Sequence, residues 1–139
     1  MITQLHETDL DLVLDCNLRK LEASGRCKLP AAWRAHSIEL YIDLYRNGKC
    51  LHLGYRAENI VVALAGALIC DETPFLSTQT VRHGLIIDEY VTPEYRNRGI
   101  DQRLRQELLV WLAEKGARLS TSVPPNSARL SFAAGNLRW

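Results

Sequence analysis

The sequence has almost no net charge: 17 Lys and Arg residues against 16 Asp and Glu residues give +1 at pH 7. Proteins that bind nucleic acid through its phosphates usually carry a basic excess, so this balance disfavours nucleic acid as a partner. Long apolar runs are also missing. The longest, from Ile60 to Cys70, is shorter than the ~20 residues that a membrane helix needs. We therefore expect neither a nucleic-acid partner nor a membrane span.

Cysteine and histidine are sparse and show no ligand spacing. No C-x-x-C pair occurs among the four cysteines, which are Cys16, Cys27, Cys50 and Cys70. This usage is typical of reduced thiols in a cytoplasmic protein. The four histidines are isolated in sequence, so we expect no metal site: His6, His36, His52 and His83. The N-terminus has no signal-peptide pattern, which also favours the cytoplasm.

The 139 residues are enough for one domain, residues 1–139, with a core that needs no disulfide. Ile2 to Leu5 is a strand candidate. An apolar stripe at helical spacing then runs from Leu10 to Leu21, with Thr8 or Asp9 as the N-cap and Ser24-Gly25 as the end. A second helix is predicted from Pro30 to about Asn47-Gly48.

The middle of the chain has the pattern of an antiparallel meander. Strands are predicted at Leu51 to Tyr55, Ile60 to Ile69 and Arg82 to Thr92. The second is nearly all apolar and β-branched, which favours a strand buried on both faces. Glu58-Asn59 is predicted as a turn, and Asp71 to Thr80 as a loop.

A turn and a glycine-containing basic loop, Val91 to Ile100, separate the last of these strands from a helix. Apolar residues at spacings of three and four predict that this helix runs from Ile100 to Lys115-Gly116. A strand–loop–helix unit of this kind holds anions, because a helix N-terminus offers unpaired N–H donors and the positive end of its dipole. Arg118 to Val123 is predicted as a strand parallel to Arg82–Thr92, and Ser127 to Ala134 as a short helix.

The stretch V-T-P-E-Y-R-N-R-G-I resembles motif A of the GCN5-related N-acetyltransferase (GNAT) superfamily. In that family R/Q-x-x-G-x-G/A binds the pyrophosphate of acetyl-CoA. Arg96 matches the first position of the pattern and Gly99 the fourth. The resemblance implies an α/β (α+β) fold with a mixed, mostly antiparallel sheet flanked by helices. It also implies that acetyl-CoA is the co-substrate.

The resemblance further implies the site residues. Pyrophosphate is expected to bind at the loop and the start of the next helix, through Arg96, Asn97, Arg98, Gly99, Ile100 and Asp101. Val91 is expected to contact pantetheine through its backbone, and Asn126 is also expected to contact the cofactor. The amine proton is expected to go to Asp88 or Glu89. Adjacent strand residues point to opposite faces, so only one faces the acceptor, and Asp88 is favoured.

Three features depart from the family pattern. Asp101 stands where the family has Gly or Ala. Ala133 lies about where many members carry a Tyr that protonates the thiolate. The chain also has a shortened C-terminal end, since only Asn136 to Trp139 follow the last helix, so we expect a homodimer to cover the open strand edge.

The predicted function is therefore an acetyl-CoA-dependent N-acetyltransferase. It moves an acetyl group to a primary amine of a small molecule or protein by direct transfer with general-base help. The alternative is a catalytically weak or inactive GNAT-like module that binds acyl-CoA or a partner protein. Asp101, Ala133 and the short C-terminal end favour that alternative.

Overall fold

The computed structural model describes residues 1–25, 28–72 and 81–120. Its strands are β1 (Ile2–Gln4), β2 (Cys50–Ala57), β3 (Ile60–Glu72), β4 (Val81–Val91) and β5 (Arg118–Leu119). Its helices are α1 (Leu10–Ala23), α2 (Trp33–Arg46) and α3 (Ile100–Glu114), with single 3-10 turns at Glu7–Asp9 and Pro93–Tyr95. This order agrees with the predicted one along the described part of the chain.

The strands form one sheet in the order β1-β2-β3-β4-β5. The first four are antiparallel neighbours, and β5 is parallel to β4, with His83 opposite Arg118. The parallel pair follows from the crossover helix α3, which returns the chain to the same end of the sheet. The predicted fold class, a mixed and mostly antiparallel sheet flanked by helices, is confirmed.

Helices cover both faces of the sheet. On one face, α1 and α2 bury Leu10, Leu14 and Tyr41 against sheet residues that include Leu68 and Leu85. On the other face α3 packs its apolar stripe against a row of small side chains, Ala63, Ala65 and Ala67 of β3. Residues 62–70 of β3 are all buried, as predicted for a strand covered on both faces. Its alanines leave room for α3 to pack closely on the sheet.

Predicted boundaries differ from the structure by one to three residues, for example in β2, and two of these differences affect contacts. β3 continues to Glu72, so Asp71 is a strand residue and not the start of a loop. Its carboxylate accepts a hydrogen bond from Arg82 Nε of β4 at 2.7 Å, which ties the ends of the two strands together. α2 begins at Trp33 and not at Pro30, although the Trp33 N–H donates to the Pro30 carbonyl oxygen in the turn before it.

Several predictions lie outside the described residues. These are the loop over residues 73–80, the end of the last strand after Ser120, the short helix Ser127 to Ala134, the shortened C-terminal end Asn136 to Trp139, and the residues Asn126 and Ala133. In the described part, no helix has the length and apolarity to cross a membrane. The same residues contain no cluster of side chains suited to a metal ion.

Candidate functional site

A β-bulge interrupts β4 just before its end. Leu64 pairs with Tyr90 and Gly66 pairs with Ile87, so Ala65 of β3 lies opposite both Asp88 and Glu89. Asp88 adopts a left-handed backbone with φ of 59°. An extra residue of this kind shifts the alternation of side chains by one position.

The bulge places two consecutive side chains on one face. Ile87 packs into the core beneath α1 and α2, and Asp88 contacts side chains from those same helices. Glu89 instead reaches α3, where its carboxylate accepts a hydrogen bond from Arg105 at 2.7 Å. Asp88 and Glu89 therefore lie on opposite faces, with Asp88 toward α1 and α2 and Glu89 toward α3.

The Asp88 carboxylate lies in a buried polar cluster, and the residue as a whole is only 3% exposed. Asn17 Nδ2 donates to its Oδ1 at 2.9 Å, and the Tyr41 hydroxyl donates to its Oδ2 at 2.6 Å. His52 Nε2 lies 2.7 Å from the same Oδ2. On the far side of the imidazole, Nδ1 lies 2.6 Å from the Tyr45 hydroxyl. The cluster thus joins α1, α2 and β2 to the bulge of β4.

Burial keeps the hydroxyl and thiol groups around this cluster protonated. The pKa of Tyr41 is well above its usual value because the phenol is desolvated and lies beside the Asp88 carboxylate. Burial likewise raises the pKa of Tyr45 and that of the Cys50 thiol. Tyr41 therefore stays a hydrogen-bond donor to Asp88 across the ordinary pH range.

The loop between β4 and α3 leads into the N-terminus of α3 and leaves its first N–H groups without helical acceptors. Asn97 and Gly99 have φ values of 63° and 76°, and Gly99 is the N-cap of the helix. The first intrahelical bond runs from the Arg103 N–H to the Gly99 carbonyl oxygen at 3.2 Å. The backbone N–H groups of residues 100–102 therefore have no helical acceptor, and they carry the positive end of the helix dipole.

A cleft of about 800 Å³ lies where the end of β4, this loop and the first turn of α3 meet α1. Arg96 lies at the cleft, and its Nε donates to the Val91 carbonyl oxygen at 2.9 Å. Asp101 also lines the cleft and makes no ion pair with any described residue. The cleft combines free N–H donors with cationic side chains, which suits a ligand carrying phosphate groups.

The predicted site residues separate into groups. Those that line the cleft are Glu89, Val91, Arg96, Asn97, Gly99 and Asp101. Arg98 places its guanidinium 4.9 Å from the Tyr95 ring centroid, and Ile100 is 5% exposed in the α3 core. Ile100 therefore has only its backbone N–H to offer a ligand. Asp88 lies in the buried cluster beside the cleft, and Asn126 is outside the described residues.

Sequence reasoning missed the opposite wall of the cleft. Arg19 and Lys20 of α1 line it, and Tyr95 and Gln102 are further lining residues on the side of the loop and α3. Arg19 and Lys20 have the sequence appearance of ordinary polar residues on an amphipathic helix. The sequence marks them only by placing two cationic residues together in the last two turns of α1, where positive charge interacts favourably with the helix dipole. Only the packing of α1 across the end of β4 makes them part of the site.

The comparisons with known proteins agree with this geometry. The profile of the acetyltransferase (GNAT) family matches residues 18–134. No curated protein matches the chain closely enough to count as a relative. A GCN5-related N-acetyltransferase from Ralstonia eutropha JMP134 superimposes with a TM-score of 0.74 at 23% identity, covering 94% of this chain and 87% of the other.

Two further solved structures share the fold. A predicted acetyltransferase from Clostridium acetobutylicum, crystallised with acetyl-CoA, gives a TM-score of 0.74 at 17% identity, covering 94% of this chain and 85% of that one. An aminoglycoside N-acetyltransferase in complex with CoA gives 0.57 at 18% identity, covering 94% and 84%. The strand–loop–helix unit, the cleft and the family profile agree, and the chain belongs to the acetyltransferase (GNAT) family.

Proposed function

We propose that the protein is an acetyl-CoA-dependent N-acetyltransferase that moves an acetyl group to a primary amine by direct transfer. The observation that carries the proposal is the cleft at the start of α3. There Arg96, the loop backbone and the free N–H groups of the first helical turn meet the end of β4. The acetyl-CoA and CoA in two related structures support the same occupant.

Each part of the cleft has a role in this proposal. The pyrophosphate binds at the N-terminus of α3, where Arg96 adds positive charge. Arg19 and Lys20 provide cations from the opposite wall. The pantetheine arm lies along Val91 at the end of β4 and meets backbone groups there. The thioester is thereby held beside the β4 bulge.

The chemistry needs one proton acceptor and one proton donor. An ammonium has no lone pair, so the acceptor amine must lose a proton to Asp88 or Glu89 before its nitrogen attacks the thioester carbonyl. The new C–N bond forms as the C–S bond breaks, the nitrogen gives its second proton to water, and the CoA thiolate takes a proton from water. The two acids of the bulge, Asp88 and Glu89, favour a cationic amine, whether a small molecule or a protein side chain.

The direct test is a calorimetric titration with acetyl-CoA. Micromolar binding is expected, followed by thiol release when lysine, spermidine, tyramine and kanamycin are offered as acceptors. No binding up to millimolar acetyl-CoA would overturn the proposal. Binding without transfer to any amine would instead favour a module that binds acyl-CoA without catalysis.

Asp101 is the specific observation that favours this second function, because its carboxylate lines the cleft. Two like charges ~4 Å apart near a protein surface repel by ~4 kcal/mol, which would offset much of the attraction of the loop. We expect Asp101→Gly to bind acetyl-CoA more tightly in the same titration. Unchanged affinity would mean that the carboxylate does not face the pyrophosphate.

We also infer that the protein is a homodimer of the cytoplasm. β5 is the outermost described strand beside β4, and Leu119 on it is 44% exposed. A second copy would cover that strand. Light scattering coupled to size exclusion is expected to give twice the mass of one chain. A clean monomer would contradict the dimer and leave the enzymatic proposal untouched.

A further inference from the structure

The two acids that precede Val91 have opposite surroundings. The Asp88 side chain is 0% exposed, and its carboxylate is surrounded by Asn17, Tyr41 and His52. A carboxylate has about four acceptor positions, and these three partners take most of them. The Glu89 side chain is 38% exposed, lines the cleft and pairs with Arg105, its one cationic partner among the described residues. A group that removes an amine proton must reach that proton within hydrogen-bond distance.

The Asp88 cluster also acts on the backbone. Asp88 has a positive φ, which is a strained conformation for a residue with a side chain, although aspartate tolerates it better than most. Hydrogen bonds from α1, α2 and β2 hold the Asp88 side chain in place on the face of the sheet that α1 and α2 cover. If β4 paired regularly, the residues after the bulge would change faces. Glu89 and Val91 would then leave the α3 side of the sheet.

We propose that the two acids divide the work: Asp88 is a positioning residue that holds the β4 bulge, and Glu89 is the acid that takes the amine proton. This inference rests on the acetyltransferase function proposed above. In the step itself, one proton passes from the ammonium to the Glu89 carboxylate. The freed nitrogen forms the C–N bond as the C–S bond breaks. The nitrogen then gives its second proton to water, the thiolate takes a proton from water, and Glu89 returns its proton to solvent.

Acetyl-CoA affinity separates positioning from base catalysis without any acceptor. Asp88→Asn and Tyr41→Phe both disrupt the cluster, and both are expected to raise the dissociation constant roughly two- to thirtyfold, because the backbone along the pantetheine arm shifts. The matched control is Tyr55→Phe, whose hydroxyl lies on β2 near Arg103 at 3.5 Å and is expected to change nothing. Wild-type affinity in both cluster variants would overturn the proposal.

The pH dependence of kcat/KM gives a second readout, with the best amine found in the acceptor panel. Arg105 faces Glu89 from α3. The titratable or polar groups near Asp88 come from α1, α2 and β2: Cys16, Asn17, Tyr41, Tyr45, Cys50 and His52. In Asp88→Asn, kcat/KM is expected to be lower but still to fall at acidic pH as in the wild type. In Glu89→Gln, this acidic limb of the profile is expected to disappear. Loss of that limb in Asp88→Asn alone would make Asp88 the base.

Hydrogen exchange keeps the test decisive if Asp88→Asn does not fold. Tyr41→Phe removes one hydrogen bond and keeps the carboxylate, so a folded protein is expected. Faster exchange of the Glu89 and Tyr90 amides in this variant is expected, while the amides of α3 stay protected. Unchanged exchange at the bulge would overturn the positioning role. Failure of the wild type to bind acetyl-CoA would instead overturn the proposed function, and exchange would still report on the bulge.

Discussion

Gly66 of β3 leaves the space that the His52 ring occupies. A Cβ at this position would lie 2.6 Å from His52 Cδ2 and 2.7 Å from Nε2, the atom that contacts Asp88. We expect Gly66→Ala to lower the free energy of unfolding by about 1–3 kcal/mol, since the ring is buried and tied at both nitrogens. Urea denaturation measures this change.

Gly54→Ala is the matched control for that substitution. Its Cβ would lie 2.9 Å from Leu5 Cδ2, the far end of a flexible side chain, so a smaller loss is expected. Equal losses at the two positions would show that the imidazole moves as freely as the leucine, contrary to the description of a fixed cluster.

Gly99 is constrained by its backbone alone. It has φ of 76° at the N-cap of α3, and a Cβ there would meet nothing within 4 Å. Gly99→Ala is therefore expected to cost only the strain of the left-handed conformation, about 1–2 kcal/mol. It should also weaken acetyl-CoA binding, because relief of that strain moves the N–H groups at the start of the helix.

Gly116 offers the control, with φ of 70° and equally open space beyond the last turn of α3. Gly116→Ala is expected to lose similar stability in urea and to keep wild-type affinity for acetyl-CoA by calorimetry. Equal weakening of binding in both variants would mean that general destabilisation, and not the loop geometry, controls the affinity.

At this scale the sequence predicted residue types better than contacts. The residues of the loop were found because they are contiguous in a strand–loop–helix setting. The partners of Asp88 were not, since Tyr41 and His52 lie 47 and 36 positions away and have no spacing that marks them. Tyr41 packs in the core like any buried aromatic residue, and only the structure shows that its hydroxyl contacts the carboxylate.

Among the elements, the ends of β3 and β4 are held by charges. Asp71 of β3 contacts Lys49 and Arg82, and Arg82 also donates to the Lys115 carbonyl oxygen after α3. Hydrogen bonds from Arg82 and Lys49 lower the pKa of the Asp71 carboxyl below its usual 3.8. The stability it contributes is therefore present above that pH and is lost as the pH falls through the lowered value.

Asp71→Asn is expected to lower the free energy of unfolding by about 0.2–1 kcal/mol at neutral pH, the range for partly exposed ion pairs. It should also reduce the further loss of stability that the wild type shows below about pH 4. Thermal unfolding across an acidic pH series measures both effects. Parallel curves for the variant and the wild type would contradict this assignment of the acid response.

Periodicity predicted most elements because their patterns are local: the stripe of α3 and the apolar run of β3 are evident in single windows. The bulge in β4 could not be predicted in this way. No glycine or proline marks Asp88, and the local pattern does not distinguish a regular strand from one with an extra residue. The placement of α1 across the cleft depends equally on tertiary packing, so Arg19 and Lys20 were missed.

For the whole molecule, ligand binding and folding should be linked. If acetyl-CoA binds the native cleft alone, a concentration 100 times the dissociation constant adds about 2.7 kcal/mol of stability. For a chain of this size that is expected to raise the melting temperature by on the order of 5–10 °C, measured by differential scanning fluorimetry. Pantetheine, which lacks the pyrophosphate, is the control and should produce little shift.

An equal shift with pantetheine would contradict the role of the α3 N-terminus. The same experiment in Gly99→Ala should lose most of the acetyl-CoA shift, and in Gly116→Ala should keep it. The shift in melting temperature therefore tests, through the stability of the whole molecule, the contribution of the α3 N-terminus to acetyl-CoA binding.

The buried thiols give the protein an internal reporter of its own unfolding. Cys16, Cys50 and Cys70 are all buried, and burial raises the pKa of Cys16 to about 11. Since only thiolates attack a disulfide reagent, these sulfurs should react with Ellman's reagent no faster than the fold opens. During an assay, the absorbance from released CoA would then appear before the absorbance from these three cysteines. Without substrate, the rate at which the three cysteines react would measure the rate at which the core opens.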